Sequence, residues 1–393
     1  MSSPQHPQPG STSALRDANA RRVLATLREA QRNRRGLSQA QLARRTELAP
    51  ATVSAIVRSL AGADLLEVEQ GSGRRGAQVR IGRGGGLVAG VDFGHSHVAL
   101  AVADLSGLVL TQRWSPLTPD DSSVEALSLA SALLDEALEQ VSAERSELRR
   151  IGLGLPAPLA HGIVQSPGIL PSWIGLDVAQ AAAATFGVPV DAENDANLAA
   201  LAELRKRPDY PGQSLVFLKI SSGLGAGIVL NGQLQRGVSG MAGELGHVSV
   251  DESGPFCRCG NRGCLETYVS VPHIMSALSD AIPGATFGEV ISEARAGNRA
   301  ASRALEDSGH HLGEALAMVV NLLDPGTLVI GGDLSQAGEL VLTPLRASLR
   351  RHCLAPVAKE TQVVVATLGG DASLIGAIEV ALDHLDVFAG LDL

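Results

Sequence analysis

One histidine and three cysteines lie close together in the segment GHVSVDESGPFCRCGNRGCLE, at His247, Cys257, Cys259 and Cys264. Thiolate and imidazole groups are the ligands of structural Zn²⁺, and four of them leave no coordination position for a catalytic water. The alternative is a buried thiol cluster or a disulfide, but a bridge between Cys257 and Cys259 would be strained and would leave one thiol over. The spacing therefore predicts a structural zinc site that holds a loop in place.

Two carboxylates flank this predicted metal site. Glu244 lies three residues before His247, and Glu266 lies two residues after Cys264. A metal site would hold the two carboxylates near each other, where they could accept hydrogen bonds from neighbouring hydroxyls of a sugar. The alternative is that both are solvated surface residues, as most charged side chains are.

Charge is divided unevenly along the chain. Residues 14–83 contain fourteen arginines and six acidic residues, a net charge of +8; the whole chain carries −9, so the remainder carries −17. A basic segment attached to an acidic body indicates that the basic segment binds a polyanion. All of these cations are arginine, which can donate paired hydrogen bonds to phosphate or guanine, although an arginine-rich coding bias would look the same.

Apolar periodicity in the basic segment predicts three helices, at 18–31, 38–46 and 51–62. Ser38 is suited to cap the second helix, and Pro50 is suited to begin the third after a tight turn. The segment LLEVEQGSGRRGAQVRIG then alternates on both sides of a glycine-rich turn, as a two-stranded wing does. The pattern predicts a winged helix-turn-helix DNA-binding domain over residues 14–83.

In that geometry the third helix enters the major groove of double-stranded DNA. The exposed residues of this helix would contact base edges and phosphates: Ala51, Thr52, Ser54 and Arg58. Arg74 and Arg75, at the tip of the wing, would contact the DNA backbone or the minor groove. The alternative is a small helical protein-docking domain whose arginines are solvated.

The length of 393 residues and the apolar fraction of 45% indicate two or three domains with a substantial core. No apolar run is long enough to span a membrane, so we expect no membrane partner. Residues 1–13 lack the basic start and apolar stretch of a signal peptide and are predicted to be a disordered tail. Because most of the few cysteines are assigned to metal, we expect a reducing, cytoplasmic location.

Residues 82–86, GRGGG, are predicted to form a flexible linker into a body at 84–393. Two similar blocks in this body, starting at residues 87 and 214, each contain a strand, a glycine-containing turn and a second strand. Helical stretches alternate with strands elsewhere, which indicates an α/β fold built from two related halves. A ligand would be bound in a cleft between these halves.

The chain resembles the ROK family of sugar kinases and sugar-responsive repressors over nearly its whole length. The segment from Gly246 to Glu266 resembles the signature stretch of that family, including its CxCGxxGCxE core. Four further segments resemble sugar-binding stretches of the family in the same order: GLPAPL at 154–159, LPSWIGL at 170–176, ENDANLAAL at 193–201 and GMAGELGH at 240–247. The winged helix-turn-helix segment ahead of them is similar to the repressor branch.

The resemblance implies an actin-like ATPase fold of the hexokinase type, with a two-lobed α/β body. It implies that sugar is bound by five residues: Asn194, Asp195, Glu244, His247 and Glu266. His247 would give one ring nitrogen to zinc and the other to a sugar hydroxyl, so zinc removal should disturb sugar binding as well as folding. Asp195 corresponds to the general base of the kinases.

The phosphate-binding turns depart from the kinase pattern. The residues after Gly94 are His95, Ser96 and His97, where the kinases have a second glycine, a threonine and usually a lysine. A second turn reads Ser-Ser-Gly at 221–223 in place of Gly-Thr-Gly. Because backbone N–H groups cradle phosphate only at close approach, we expect His95 to obstruct ATP binding and Asp195 to be the remnant of a catalytic base, with no residue catalytic.

These features together predict a DNA-binding transcriptional regulator, most simply a repressor, whose operator affinity changes when a sugar or sugar phosphate enters the cleft. Two recognition helices reading a palindromic operator require a homodimer at least, and a homotetramer satisfies the same requirement. The first alternative is an ATP-dependent sugar kinase that carries a DNA-binding domain. The second is a constitutive DNA-binding protein with a vestigial pocket.

Overall fold

The structure, a computed structural model, describes residues 12–32, 36–69, 77–118, 121–165 and 171–385. It contains a small helical domain, called the head, followed by two lobes that each enclose a five-stranded sheet. None of the helices in the described ranges combines the length and the hydropathy that crossing a membrane requires.

The head has the order of elements that the sequence predicts. Three helices, α1 (Thr12–Arg32), α2 (Gln39–Thr46) and α3 (Pro50–Gly62), precede an antiparallel hairpin of β1 (Leu66–Glu69) and β2 (Gln78–Ile81). Ser38 and Gln41 form a reciprocal capping box at the start of α2, and Pro50 is the first residue of α3. The helix-turn-helix with a following hairpin is therefore confirmed.

The first helix starts earlier than the periodicity predicted. Residues 1–11 of the predicted tail lie outside the described residues, whereas Thr12 and Ser13 already belong to α1. Among the side chains of α1 that the structure describes, the apolar positions that face the head core begin at Ala20, so apolar periodicity gave no signal for the preceding turns.

The first lobe is built on one mixed sheet and two flanking helices. In chain order its elements are β3 (Leu87–Phe93), β4 (His97–Asp104), β5 (Val109–Pro116), α4 (Ser123–Gln140), β6 (Leu148–Leu155), the short strands β7 (Leu159–Ala160) and β8 (Ile163–Val164), α5 (Val178–Phe186) and β9 (Val190–Asn194). The strand order in the sheet is β5-β4-β3-β6-β9. The first three strands are antiparallel, and β3, β6 and β9 are parallel.

The second lobe repeats this topology. Its elements are α6 (Asp195–Lys206), β10 (Leu215–Ile220), β11 (Leu224–Leu230), β12 (Gln233–Leu234), α7 (Glu266–Val269), α8 (Val271–Ala277), α9 (Phe287–Arg295), α10 (Arg299–Leu323), β13 (Thr327–Gly331), α11 (Glu339–His352), α12 (Ala355–Glu360), β14 (Gln362–Val365) and α13 (Ala372–His384). The strand order is β12-β11-β10-β13-β14, with the same pattern of antiparallel and parallel pairs. The predicted relation between two halves is thus confirmed.

Two helices lie between the sheets and position the cleft. Helix α6 packs against β10 and β11, while α13 packs against β3, β6 and α6. Glycine allows α13 to approach both neighbours closely. A side chain at Gly376 of α13 would collide with the carbonyl oxygen of Leu198 of α6, and a side chain at Gly152 of β6 would collide with the carbonyl oxygen of Ala377 of α13. The start of α6 and the start of α13 are therefore held side by side at the cleft.

The head and the first lobe share one hydrophobic core. Buried residues of α1, α2, α3 and the hairpin belong to the same cluster as residues of the first lobe and α13. Examples from the body are Ala101 of β4, Leu105 just after β4 and Ile378 of α13. Arg28 of α1 donates hydrogen bonds to the carbonyl oxygens of Leu105 at 2.9 Å and Leu382 at 3.1 Å. The head is thus anchored to the lobe and not attached only through the chain.

The segment at 82–86 is packed instead of forming the flexible linker that its composition predicted. Gly82, Gly85 and Gly86 are buried, and a side chain at Gly85 would meet Leu65 and Leu105 at less than 3 Å. Glycine serves here for close approach between the head and the lobe. A glycine-rich sequence looks the same whether glycine provides freedom or closeness, which is why the prediction was wrong.

Candidate functional site

The four predicted metal ligands come together in the loop between β12 and α7. His247 Nδ1 lies 3.6 Å from Cys257 Sγ, and Cys259 Sγ lies 3.6 Å from Cys264 Sγ. All four ligand atoms lie within 4.8 Å of one another. A tetrahedral Zn²⁺ separates such ligand atoms by about 3.5 to 3.8 Å, so the cluster is able to hold this metal ion.

Backbone contacts hold the ligand loop in shape. The N–H of Val250 donates to the carbonyl oxygen of Gly263 at 2.8 Å, and the N–H of Leu265 donates to that of Val248 at 2.9 Å. Gly263 has a φ of 59°, and a side chain there would collide with the carbonyl oxygen of Asp251. The loop therefore requires glycine at this turn to bring Cys264 back beside His247.

Burial raises the pKa of the Cys257 and Cys264 thiols above their usual range. Cysteine binds zinc as the thiolate, so a bound metal ion would have to displace these protons. Metal affinity should consequently increase with pH.

A cavity of about 100 Å³ lies between the lobes beside the thiol cluster. All five residues expected to contact sugar line it, although they come from three separate parts of the chain: Asn194, Asp195, Glu244, His247 and Glu266. Pro156 and Ala157 line the same cavity. From the LPSWIGL segment, the described residues 171–176 are absent from this lining, and Trp173 is buried against Phe93.

His247 connects the thiol cluster to the cavity. Its Nδ1 faces Cys257, whereas its Nε2 lies 3.9 Å from Oε2 of Glu244. Burial raises the pKa of Glu244 above its usual value. The imidazole can therefore ligate a metal through one nitrogen while the other remains available to the cavity.

Glu266, the first residue of α7, is held by two contacts. Its Oε2 accepts a hydrogen bond from the N–H of Leu224 at 3.0 Å, and its Oε1 pairs with Arg258 Nε at 2.9 Å. Arg258 lies between two of the metal ligands in sequence and also lines the cavity. The metal loop thus contributes the cation Arg258 to the cavity, in addition to the imidazole of His247.

Asn194 and Asp195 form the start of α6. The Oδ1 of Asn194 caps the helix by accepting hydrogen bonds from the N–H groups of Ala196 and Asn197, at 3.0 and 3.3 Å. Its amide nitrogen donates to the carbonyl oxygen of Ala157 at 3.3 Å. These contacts fix Asp195, the next residue, with its carboxylate at the cavity.

Asp195 is paired with a lysine that the sequence analysis did not single out. Lys219 Nζ lies 2.7 Å from Asp195 Oδ2 and 3.1 Å from Ser373 Oγ. Burial disfavours the charged lysine, but Asp195 and Asp92 outweigh this effect and hold the pKa of Lys219 above its usual value. Asp92 is itself buried, and this burial raises its pKa to about 6.

The turn after β3 is covered by a histidine, but by a different one from the residue predicted. His95 is exposed, whereas a side chain at Gly94 would collide with the imidazole of His97. The ring of His97 stacks on exposed Trp114, with centroids 6.2 Å apart and planes inclined by 21°. His97, and not His95, therefore lies over Gly94, because the N–H of Gly94 donates to the carbonyl oxygen of His97 at 2.8 Å and closes the turn between β3 and β4.

The second expected phosphate turn is engaged in contacts within the lobe. Ser221 Oγ accepts a hydrogen bond from the N–H of Asp333 at 3.0 Å, and the Ser221 carbonyl oxygen accepts one from Val271 at 2.9 Å. A side chain at Gly223 would approach Glu266 Oε2 to 2.6 Å. This turn therefore supports the carboxylate of Glu266.

The predicted DNA-contacting residues of α3 lie on one side of the helix. Ala51 and Arg58 are exposed, and Thr52 and Ser54 are half-buried. Val53, Ile56, Val57 and Leu60 face the head core. Arg74 and Arg75 lie outside the described residues.

Sequence reasoning missed Lys219 and Arg258. A signal for Lys219 was present, because it is the only charged residue in an otherwise apolar strand, LVFLKI. Such a lysine must find a carboxylate when the strand is buried. Arg258 could have been found from its position between two ligands of a site already predicted to lie beside Glu266.

Comparison with known proteins agrees with this architecture. The sequence profile of the ROK family matches residues 88–384, and that of the winged helix-turn-helix DNA-binding domain matches residues 16–67. The xylose repressor of Bacillus subtilis (strain 168) is 26% identical over 354 residues, covering 88% of this chain and 91% of the repressor.

Two crystal structures show the same relation. One, of a ROK family transcriptional regulator that is a homolog of the E. coli MLC protein, has 26% identity and a TM-score of 0.79, and the alignment covers 94% of this chain and 96% of that one. A ROK family glucokinase from Streptomyces griseus, in complex with glucose and AMPPNP, has 29% identity and a TM-score of 0.65, with coverage of 76% and 100%. Since the family profile spans both lobes and the cleft between them, this chain belongs to the ROK family.

Proposed function

We propose that this protein is a sugar-responsive DNA-binding transcriptional repressor. One observation carries the proposal: a winged helix-turn-helix head is packed onto the lobe of a ROK body whose cleft is lined by hydrogen-bonding carboxylates. The similarity of nearly the whole chain to a xylose repressor and to a ROK family transcriptional regulator supports it. Because operator DNA is the proposed partner and the cysteines must stay reduced to bind metal, we expect the protein to act in the cytoplasm.

The proposed DNA contacts are made by α3 and by the wing. Ala51, Thr52 and Ser54 would face base edges, and Arg58 would pair with phosphate. Arg74 and Arg75 would contact the DNA backbone or the minor groove. Two heads one helical turn apart would read a palindromic operator, so we propose a homodimer or a homotetramer.

The proposed ligand site is the cavity between the lobes. Asp195, Glu244 and Glu266 would accept hydrogen bonds from sugar hydroxyls, and the amide of Asn194 and the free nitrogen of His247 would complete the set. A zinc ion held by His247, Cys257, Cys259 and Cys264 would fix the imidazole and the loop that carries Arg258. When bound, zinc would supply structure and not chemistry, since its four protein ligands leave no open position.

The response to sugar requires that the ligand binds two arrangements of the heads with different affinity. Helix α13 gives this coupling a physical route. Ser373, near its start, contacts Lys219 and the backbone of Asp195, while Leu382, near its end, contacts Arg28 of the head. A coupling free energy of about 1 to 3 kcal/mol would change operator affinity some 5- to 150-fold.

A second candidate is an ATP-dependent sugar kinase with a DNA-binding head, which the similarity to a glucokinase bound to glucose and AMPPNP favours. His97 over Gly94 weighs against it, since phosphoryl transfer needs a bound nucleotide. The ion pair with Lys219 also occupies one oxygen of Asp195, the residue that corresponds to the base of the kinases. We therefore propose that the protein does not use ATP.

A thermal-shift screen of the zinc-loaded protein tests both candidates, because a ligand that binds only the folded state raises the melting temperature. The panel contains hexoses, pentoses, amino sugars, their 6-phosphates and ATP with Mg²⁺. A sugar that shifts the melting temperature and changes operator affinity supports the repressor. A shift with ATP, followed by phosphorylation of a hexose, establishes the kinase; no shift with any sugar supports a constitutive DNA-binding protein with a vestigial pocket.

A further inference from the structure

Two basic side chains line the cleft, and each is paired with an acid. Lys219 pairs with Asp195 at 2.7 Å, and Arg258 pairs with Glu266 at 2.9 Å. The first pair is the more deeply enclosed, because Lys219 projects from the central strand of the second sheet, whereas Arg258 belongs to a surface loop.

The structure around Lys219 makes room for its ammonium group. Across the sheet its neighbours are Gly225 on β11 and Gly331 on β13, so neither neighbouring strand presents a side chain beside it. The ammonium contacts Asp195 and also Ser373, whose hydroxyl donates to the Asp195 carbonyl oxygen at 3.0 Å. The starts of α6 and α13 therefore hold the lysine in one position.

A second carboxylate, that of Asp92, interacts with the charge of the same lysine. Asp92, on the central strand of the first sheet, is 2% exposed, and its Oδ1 has no hydrogen-bond partner among the residues that the structure describes. The charges of Lys219 and Asp92 act on each other, and so do those of Asp92 and Asp195. A buried carboxylate without hydrogen bonds needs a cation nearby to remain ionised.

We propose that Lys219 is the resident cation of the cleft, which neutralises Asp92 and Asp195 and excludes a divalent metal ion from them. Asp195 then offers one oxygen atom to a ligand hydroxyl while its Oδ2 stays paired with the ammonium of Lys219. The ligand is consequently bound without a metal ion and is released chemically unchanged. This inference concerns the cleft alone, so its failure would leave the proposed DNA-binding role untouched.

Without Lys219, the charges of Asp92 and Asp195, which act on each other, would lack the cation that offsets them, and carboxylate oxygens are ligands of hard divalent cations. With Lys219 in place, an incoming Mg²⁺ or Mn²⁺ would meet a positive charge in a poorly solvated site. The single lysine therefore decides whether the cleft can take up a metal ion.

The inference is tested by measuring Mn²⁺ binding to the zinc-loaded full-length protein. The loss of the electron paramagnetic resonance signal of free Mn²⁺ gives the amount that is bound. The variants are Lys219→Met and Lys219→Met with Asp92→Asn, and Lys359→Met is the control because it removes an exposed lysine from the same lobe. We expect the wild-type cleft to bind Mn²⁺ at least about tenfold more weakly than Lys219→Met does, and the double variant to lose the gain. Unchanged affinity in a folded Lys219→Met protein would overturn the inference.

Circular dichroism and zinc content establish whether each variant is folded. Lys219→Arg, which keeps a cation, should bind Mn²⁺ no better than the wild type and so separates charge from disturbed packing. If Lys219→Met does not fold, the wild-type protein alone decides: Mn²⁺ binding that Asp92→Asn or Asp195→Asn removes would contradict the inference, and the absence of such binding would support it.

Discussion

Arg28 of the DNA-binding head donates a hydrogen bond of 3.1 Å to the carbonyl oxygen of Leu382, in the last turn of α13. Near the start of the same helix, Ser373 contacts Lys219, which lines the cleft. One helix therefore touches both the residues that would hold a sugar and the helix that leads into the DNA-binding domain. A change near Ser373 that displaces α13 along its axis would therefore also move the carbonyl oxygen of Leu382 that Arg28 contacts.

Replacing Arg28 with methionine should weaken this connection. The change removes two charge-assisted hydrogen bonds to backbone carbonyls while keeping an apolar stem, and should lower the free energy of unfolding by about 1.5 to 3 kcal/mol. It should also reduce the effect of sugar on operator affinity. Urea denaturation and operator binding with and without sugar measure the two effects. Arg45→Met, on the exposed side of α2, is the control for stability, and an undiminished sugar response would remove Arg28 from the coupling route.

Arg58→Ala should abolish or strongly weaken operator binding and leave sugar affinity unchanged, because Arg58 is exposed on α3 and far from the cleft in sequence and fold. If Arg58 pairs with one phosphate, the slope of log affinity against log salt concentration should fall by about 1. Fluorescence anisotropy over a range of salt concentrations gives both quantities. Arg303→Ala, on α10 of the body, should change neither, and normal operator binding by Arg58→Ala would exclude this residue from the DNA interface.

Removing the proposed zinc should affect both folding and ligand binding. Cys259→Ser replaces an exposed ligand of the cluster and should reduce zinc affinity by more than the 10- to 100-fold that changes around a ligand typically cause. Since His247 faces both the cluster and the cavity, sugar affinity should fall in parallel. Cys353→Ser, outside the cluster, is the matched control. Zinc content by mass spectrometry and sugar binding by calorimetry would show whether the two losses occur together.

Asp92 predicts a pH dependence of stability. Its pKa rises from 3.8 to about 6 in the folded protein, chiefly because it is buried, so the folded state binds this proton more tightly than the unfolded state. The contribution of Asp92 to the free energy of unfolding should therefore fall as pH rises from about 4 to 6 and remain low above 6. Asp92→Asn should stabilise the protein above pH 6 by on the order of 2 kcal/mol and lose this advantage below about pH 4.

Urea denaturation of Asp92→Asn and wild type over this pH range measures the difference. Asp280→Asn replaces an exposed carboxylate and should show no such dependence. A variant that is less stable than the wild type at neutral pH would mean that the attraction between Asp92 and Lys219 exceeds the cost of burying the carboxylate.

Local patterns in the sequence predicted the fold and most of the residues that line the candidate site. Helices of the head, the repeated hairpins of the two lobes and the cluster around His247 depend on spacing within short segments, which a sequence displays directly. The pairing of Asp195 with Lys219 joins residues 24 positions apart, and Ser373 adds a contact across 154 positions. Such contacts are created by the packing of α6, β10 and α13 and are invisible to periodicity.

Two of the incorrect predictions, at residues 82–86 and after Gly94, have a related cause. The glycines at 82–86 and the histidines after Gly94 were interpreted from residue type, and residue type does not specify what lies on the other side. Gly85 faces Leu105 of the lobe, and the hydrogen bond from the N–H of Gly94 to the carbonyl oxygen of His97 closes the turn so that His97, and not His95, lies over Gly94. Both outcomes are decided by tertiary packing, which overrides local preference.

The core that the head shares with the first lobe makes the head a poor candidate for exchange. Leu105 of the first lobe and Leu65 of the head belong to this core and both lie beside Gly85, so a body without a head would present an apolar surface to water at Leu105. A chimera that joins this body to the head of another regulator would have to match two surfaces at once. Removing or exchanging the head of such a chain would therefore leave apolar residues of the body unmatched unless they are substituted at the same time.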